Sequence, residues 1–283
     1  TRDGRRLQAR VGRPHRDVDL RGAGSPAAIL ESDSGRLVGT VDGARVLRET
    51  HPGAVYFHAG RQYLVRTLDL DGHRVLVEPT EVEYFTIPRG EKETEILETL
   101  AERRDGALAA ALGRLRVTER IVGFERKRLH GQETIDVFDL ELPPIVFETV
   151  GLWWLAPGEL EERLRLAGRH VMGALHASEH AAISLIPLLA VCDRGDLGGI
   201  SQPRHPQLDS AAVFVYDAHA GGIGIARRAF DRLPELLSRV LDLIRRCPCE
   251  EGCPSCIHSP KCGNGNRPLD KEGAARLLAL LLA

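Results

Sequence analysis

Five of the six cysteines in this 283-residue chain fall within sixteen residues, in the run Cys247-Pro-Cys249-Glu-Glu-Gly-Cys253-Pro-Ser-Cys256 followed by Cys262. Such a stretch makes a poor strand or helix, because C-x-C and C-x-x-C spacings turn several sulfurs toward one point. Soft thiolates in a tetrahedral array select Zn2+ over hard cations. Gly252, Pro254 and Pro260 suit the tight turns that ligation needs. A disulfide-stapled loop and a redox C-x-x-C are the competing possibilities, and a reducing cytoplasmic setting argues against both. A closed four-sulfur site leaves no position for a substrate, so the zinc it implies is structural. Five thiols compete for four places.

The remaining composition bounds the function classes. With 43% hydrophobic and 28% charged residues the chain is an ordinary globular one, long enough for one large or two modest domains. The apolar run from Ala181 to Val191 holds Ser184 and Pro187 and falls short of the roughly 20 residues of a membrane span, so no membrane partner is expected. The chain starts at Thr1 with a polar, arginine-rich stretch to Arg16, which suggests a piece of a longer cytoplasmic protein. A net charge of −2 offers no global attraction to nucleic acid, so such contacts would need local patches. Lysine occurs only at 92, 127, 261 and 271, preceded by Glu91, Arg126, Pro260 and Asp270. No Gly-Lys-[Ser/Thr] phosphate loop is therefore present, nor an Asp-Glu box, and the sequence cannot be a P-loop ATPase by itself.

Periodicity divides the chain into a β-rich part, 1–150, and a mixed α/β part, 151–283, giving an α+β fold closed by the cysteine loop. Between Ala27 and Phe85, β-branched runs at Arg36–Val41, Ala54–Phe57, Gln62–Thr67 and Arg74–Val77 predict a small antiparallel unit, with Asp71-Gly72 as its hairpin turn. Tyr84–Ile87, Leu115–Phe124 and Thr134–Leu142 predict further strands, with a polar, mobile segment from Arg89 to Asp105. Helical spacing follows through Leu160, Leu164 and Leu166 and from Val171 to Val191, broken near Pro187. Val213–Tyr216 predicts a buried strand. Gly221–Gly224 opens one helix running to Arg246, and Asp270 caps a last helix through Leu282.

Two further groups could carry chemistry. His176-Ala-Ser-Glu179-His180 lies within a predicted helix, and histidines at i and i+4 share a face, as in the H-x-x-E-H signature of inverted zinc peptidases. Buried histidines satisfied by hydrogen bonds are the favoured alternative. Asp193, Asp196 and Asp217, with the glycines around 198–199 and 221–224, could form a nuclease-like metal centre, or Asp217 and its glycines could simply turn a strand into a helix. The basic runs Arg2–Arg16 and Arg120–His130 are candidate phosphate contacts, although most such runs are solvated faces. Cys192 is expected to be a small buried hydrophobe.

The ordered segments His51-Pro-Gly-Ala-Val-Tyr56, Tyr63-Leu-Val, Leu142-Pro-Pro144, Gly173-Ala-Leu-His-Ala-Ser-Glu-His180, Cys192-Asp-Arg-Gly-Asp-Leu-Gly-Gly199, Val213-Phe-Val-Tyr-Asp217, Cys247 to Cys262 and Leu269-Asp-Lys271 resemble the C-terminal region of superfamily 2 DNA helicases of the MrfA and mycobacterial SftH type, from about residue 25 onward. The resemblance implies a 3′→5′ DNA-dependent ATPase and helicase linked to DNA repair, with its ATPase lobes upstream of Thr1. It also maps a C-x-C-x3-C-x2-C zinc motif onto Cys247, Cys249, Cys253 and Cys256. These four lie within ten residues, so one loop wraps the ion with little closure entropy. Cys262 is the reserve that could replace Cys247. The expected protein is an accessory region that binds structural Zn2+, contacts single-stranded DNA and packs on the helicase lobes of its own chain. It has no catalytic residues of its own, and ATP and Mg2+ belong only to the parent protein. The competing expectation is a metal-dependent hydrolase built on His176, Glu179 and His180, or a nuclease built on Asp193, Asp196 and Asp217.

Overall fold

The structure, a computed structural model, describes residues 26–131 and 133–283; the expected arginine run from 2 to 16 lies outside them. Its first unit is a five-stranded sheet of β1 (Ala27–Glu31), β2 (Leu37–Val41), β3 (Val55–His58), β4 (Arg61–Asp69) and β5 (Arg74–Thr80), in the order β2-β1-β5-β4-β3. Alternation places Ile29, Tyr63, Val65, Val75 and Val77 on one buried face, where Val46 of helix α1 (Gly43–Glu49) packs against them. The sheet departs from the expected antiparallel unit, because β1 and β5 run parallel. The short helix α1, not foreseen from the pattern, connects β2 at one edge to β3 at the other, and the β3-β4-β5 meander returns to the free side of β1. At the β4–β5 turn the left-handed residue is His73 (φ 50°), not Asp71 or Gly72. The Gly72 N–H donates instead to Asp69 Oδ1 at 2.8 Å, an Asx-type turn.

The second sheet is organised by one long hairpin. β6 (Tyr84–Asp105) and β7 (Leu108–Arg128) pair along their whole length, and 22 residues of strand extend about 70 Å. This overturns the expected mobile segment from Arg89 to Asp105. β6 carries no clear apolar alternation because much of it faces solvent, and it is a strand because β7 supplies its backbone partners. Cross-strand ion pairs Glu93–Arg120 (3.0 Å), Glu95–Arg116 (2.7 Å) and Glu98–Arg114 (3.4 Å) line the hairpin.

On the other side of β7 lie β9 (Ile145–Ala156) and, further along, β8 (Thr134–Asp139). β9 is followed by β11 (Ser210–Asp217) and β10 (Leu197–His205), giving the order β10-β11-β9-β7-β6. The expected boundary at 150/151 falls inside β9, so strands from both parts share this sheet. β11 and the second half of β9 are buried on both faces. Leu152, Trp154, Val213 and Val215 face a helical layer, while Trp153, Phe214 and Tyr216 form a second cluster on the opposite side. Gly113 and Gly151 are directly opposed where β7 meets β9. A Cβ on Gly113 would lie 2.2 Å from the Glu98 carbonyl oxygen and 2.8 Å from the Trp153 ring.

The helical layer contains α2 (Gly158–Leu166), α3 (Val171–Leu185), α4 (Ile225–Asp231), α5 (Leu233–Arg246) and α6 (Lys271–Leu281). A 3-10 turn at Ile186–Leu188 ends α3 at Pro187, as the sequence predicts. The single helix expected up to Arg246 is two, α4 and α5. Arg232 leaves helical geometry (φ −118°, ψ 24°) two residues ahead of Pro234, which lacks the N–H a continuous helix would need and whose ring would crowd the carbonyl four residues earlier. α5 buries Leu233, Leu236, Leu237, Val240 and Ile244, a single helical stripe. Asp270 caps α6 as expected, accepting from the Gly273 N–H at 2.6 Å. No helix among the described residues is long and apolar enough to cross a membrane.

Candidate metal centre

The cysteine loop leaves the C-terminus of α5 and returns to the N-terminus of α6. Its sulfurs approach in pairs, at 3.6 Å for Cys247–Cys249, 3.5 Å for Cys247–Cys253, 3.5 Å for Cys249–Cys256 and 3.8 Å for Cys253–Cys256. A tetrahedral zinc with ~2.3 Å arms to sulfur has sulfur–sulfur edges of about 3.8 Å. The four atoms are thus spaced as such an ion requires, and far beyond the ~2.05 Å of a disulfide; all are free thiols. Gly252 permits the turn, with φ 120° and a position where a Cβ would strike the Ile257 side chain at 2.6 Å. The Cys253 N–H donates to Cys256 Sγ at 3.3 Å. Lys271 Nζ donates to the carbonyl oxygens of Cys247 (2.7 Å) and Cys249, pinning the loop to α6. Burial pushes the Cys256 thiol up to about 12. At Cys249 burial also acts upward, but hydrogen bonds from Cys256, Cys247 and Lys271 outweigh it and hold the thiol at about 7.

Cys262 stands apart from this quartet. It faces His176 and His180 of α3, and one donor atom from each of the three residues lies within 4.8 Å of the others. Its expected role as reserve for Cys247 has no geometric support. The histidines make the hydrogen bonds that the favoured sequence alternative required, His176 Nδ1 to the Pro268 carbonyl at 2.9 Å and His180 Nδ1 to the Ile257 carbonyl at 2.8 Å. Glu179 does not join them. It turns toward the sheet, where its Oε2 accepts from the Ser201 hydroxyl at 2.6 Å, and burial raises its carboxyl well above the usual range. The hydrolase arrangement is therefore not assembled, because the would-be base and the two histidines occupy different faces of α3.

The acidic group is occupied by structural bonds. Asp217 Oδ2 accepts from the N–H groups of Ile223 (2.6 Å) and Gly224 (2.7 Å), and its Oδ1 accepts from Ala226 (2.7 Å) at the start of α4. Asp196 accepts from the Asp193 N–H at 2.8 Å and lies 3.0 Å from His219 Nε2. The strand-to-helix turn is what Asp217 builds, and the nuclease expectation fails for that reason. The basic run from Arg120 to His130 is also largely engaged within the sheet. Arg120 pairs with Glu93, Lys127 with Glu125 and Arg128 with Glu133. The Arg126 guanidinium sits 4.4 Å from the Phe138 ring centroid and 5.0 Å from that of Tyr84. Cys192 is only half-buried, at the edge of the main core.

Similarities to known proteins converge on the same region. The family model described as the MrfA Zn-binding domain matches residues 178–257, from the middle of α3 into the cysteine loop. The Bacillus subtilis (strain 168) protein named uncharacterized ATP-dependent helicase YprA is 26% identical over 249 residues, covering 86% of this chain and 33% of its own length. An uncharacterized protein of Methanocaldococcus jannaschii is 38% identical over 112 residues, which is 38% of this chain and 100% of that protein. The crystal structure of the DUF1998 helicase MrfA bound to DNA superposes with a TM-score of 0.62 at 25% identity, covering 95% of this chain and 36% of that one. The chain thus spans about a third of the length of these helicases. A relative matched from end to end, a family model set on the cysteine loop and a shared fold across nearly the whole chain lead to one conclusion: the chain belongs to the family of the MrfA Zn-binding domain, the zinc-binding region of MrfA-type helicases.

Proposed function

We propose that this chain is the C-terminal accessory region of a cytoplasmic, ATP-dependent 3′→5′ DNA helicase of superfamily 2 acting in DNA repair. In this reading it contributes to single-stranded DNA binding, while ATP and Mg2+ are handled by lobes elsewhere in the parent chain. The observation that carries the reading is the four-sulfur quartet, with edges of 3.5 to 3.8 Å, in a chain of this family. Cys247, Cys249, Cys253 and Cys256 would hold the ion. A bound Zn2+ there supplies a cross-link rather than an open Lewis-acid position, since four thiolates complete its shell. The protein's own share is to set the sulfurs close together. The C-terminus of α5 presents Cys247, the Gly252 turn reverses the chain, and Lys271 anchors the carbonyls of the first two cysteines to α6. Binding must release the thiol protons, so folding of this end of the molecule is coupled to the metal.

DNA contact is supported by the DNA-bound relative of the same fold. The test combines metal analysis with DNA titration. Cys249→Ala should lower the zinc content by one ion per chain and lower the thermal midpoint; unchanged zinc content contradicts the ligand assignment. A labelled single-stranded oligonucleotide should bind with an affinity that falls steeply as salt rises, because phosphate contacts release counterions. Binding indifferent to salt, or none at low salt, counts against the DNA-binding role.

A further inference from the structure

The group formed by His176, His180 and Cys262 is not used by the quartet. The two histidines lie one turn apart on α3, both nearly buried at 6% and 5% exposure, with ring centroids 4.2 Å apart. The segment after the cysteine loop closes over them and brings in Cys262. Each Nδ1 lies against a backbone carbonyl, and a carbonyl can only accept. Each Nδ1 therefore donates to its carbonyl, and in the neutral ring Nε2 is the nitrogen that carries the lone pair. This is the tautomer of a metal-bound imidazole, and a carbonyl behind the distal nitrogen is the usual outer support of such a ligand.

The third donor is placed to match. Cys262 Sγ lies 3.4 Å from His176 Nε2. A tetrahedral ion with ~2.0–2.1 Å arms to nitrogen and ~2.3 Å to sulfur has a nitrogen–sulfur edge of about 3.5 Å. The sulfur also accepts the Asn266 N–H at 3.2 Å, a bond that favours the thiolate. Two lone pairs and a sulfur converging in a nearly buried space repel one another unless a proton or a cation lies between them.

We propose that His176 Nε2, His180 Nε2 and Cys262 Sγ form a second metal site, separate from the four-sulfur loop, that takes a borderline-soft divalent cation, Zn2+ foremost. Imidazole and thiolate together suit that ion and exclude Ca2+ and Mg2+. Three protein donors leave one place for a solvent or partner ligand. Glu179 faces the sheet, so the site lacks the general base of a zinc peptidase, and its role is to fasten α3 to the segment between the cysteine loop and α6.

The test is metal counting combined with X-ray absorption at the zinc edge on the purified, zinc-replete chain. Two zinc ions per chain are expected, with imidazole scattering in the averaged shell. Cys262→Ser and His180→Gln should each leave one ion in an all-sulfur shell, and Cys249→Ser should leave one ion with imidazole in its shell. If the wild-type chain saturates at one ion with only sulfur around it, or if Cys262→Ser and His180→Gln both retain two, the proposal is overturned. The wild-type spectrum decides even where a variant fails to fold. A wild-type chain holding one ion with imidazole in its shell would uphold this site and remove the four-cysteine assignment, so the two readings fail separately.

Discussion

Replacing Asp217 separates a structural acid from a catalytic one. The side chain is fully buried and accepts three backbone N–H bonds at 2.6 to 2.7 Å, from Ile223, Gly224 and Ala226. A hydrogen bond to a charged group contributes ~1.5–3 kcal/mol net, and a buried donor left unpaired costs ~1–3 kcal/mol. Ile223 and Gly224 are exposed residues, so in Asp217→Ala water can replace part of what their donors lose, at about 1 kcal/mol each. Ala226 is buried, and its orphaned N–H at the head of α4 costs about 2–3 kcal/mol. The sum, about 4–5 kcal/mol, is a large share of a typical domain stability of ~5–15 kcal/mol. Asp217→Asn keeps one acceptor oxygen but turns an amide N–H2 toward the remaining donors, and should lose about 2 kcal/mol. Urea unfolding followed by circular dichroism reads both values from the shift in midpoint. A loss below about 1 kcal/mol in Asp217→Ala, with native ellipticity, would refute the accounting and return Asp217 to the list of groups available for metal chemistry.

Other perturbations probe different parts of the molecule. His51 is fully buried against Phe124 (4.6 Å between centroids), with Nε2 unpartnered, and burial lowers its pKa below the ordinary 6.5. Its unfolded form gains a proton first on acidification, so this contribution to stability is complete above pH ~6.5 and is lost as pH falls through the lowered folded value; His51→Phe should flatten the fall in thermal midpoint between pH 7 and pH 5, and an unchanged slope would assign the dependence elsewhere. Gly113→Ala forces a Cβ against the Glu98 backbone oxygen at 2.2 Å and should cost at least ~1–3 kcal/mol, whereas Gly158→Ala, where the new carbon meets nothing, should leave the midpoint unchanged or slightly raised; equal effects in a thermal melt would contradict the close packing of β7 between β6 and β9. Zinc removal by a strong chelator should lower the midpoint and expose the apolar stripe of α5 to a hydrophobic dye, reversibly on adding Zn2+ back.

Some of this architecture is written in local sequence. The stripe from Leu233 to Ile244, the cap at Asp270, the break at Pro187 and the strand Val213–Tyr216 each depend on residues within a turn or two of one another, and the structure places them as the periodicity predicts. The cysteine quartet is legible for a similar reason, because all four sulfurs lie within ten residues of sequence, although α5 and Lys271 of α6 hold the loop in place. What sequence alone did not reveal depends on partners far along the chain. β6 is a strand because β7 supplies its hydrogen bonds, and its polar face hid this from any apolar count. β5 lies parallel to β1 only because the intervening strands and α1 carry the chain around. Cys262 meets His176 across 86 residues of sequence, and Glu179 leaves the histidines next to it because helical geometry turns it toward Ser201. Short-range spacing sets which groups can share a face, and long-range packing decides what that face meets.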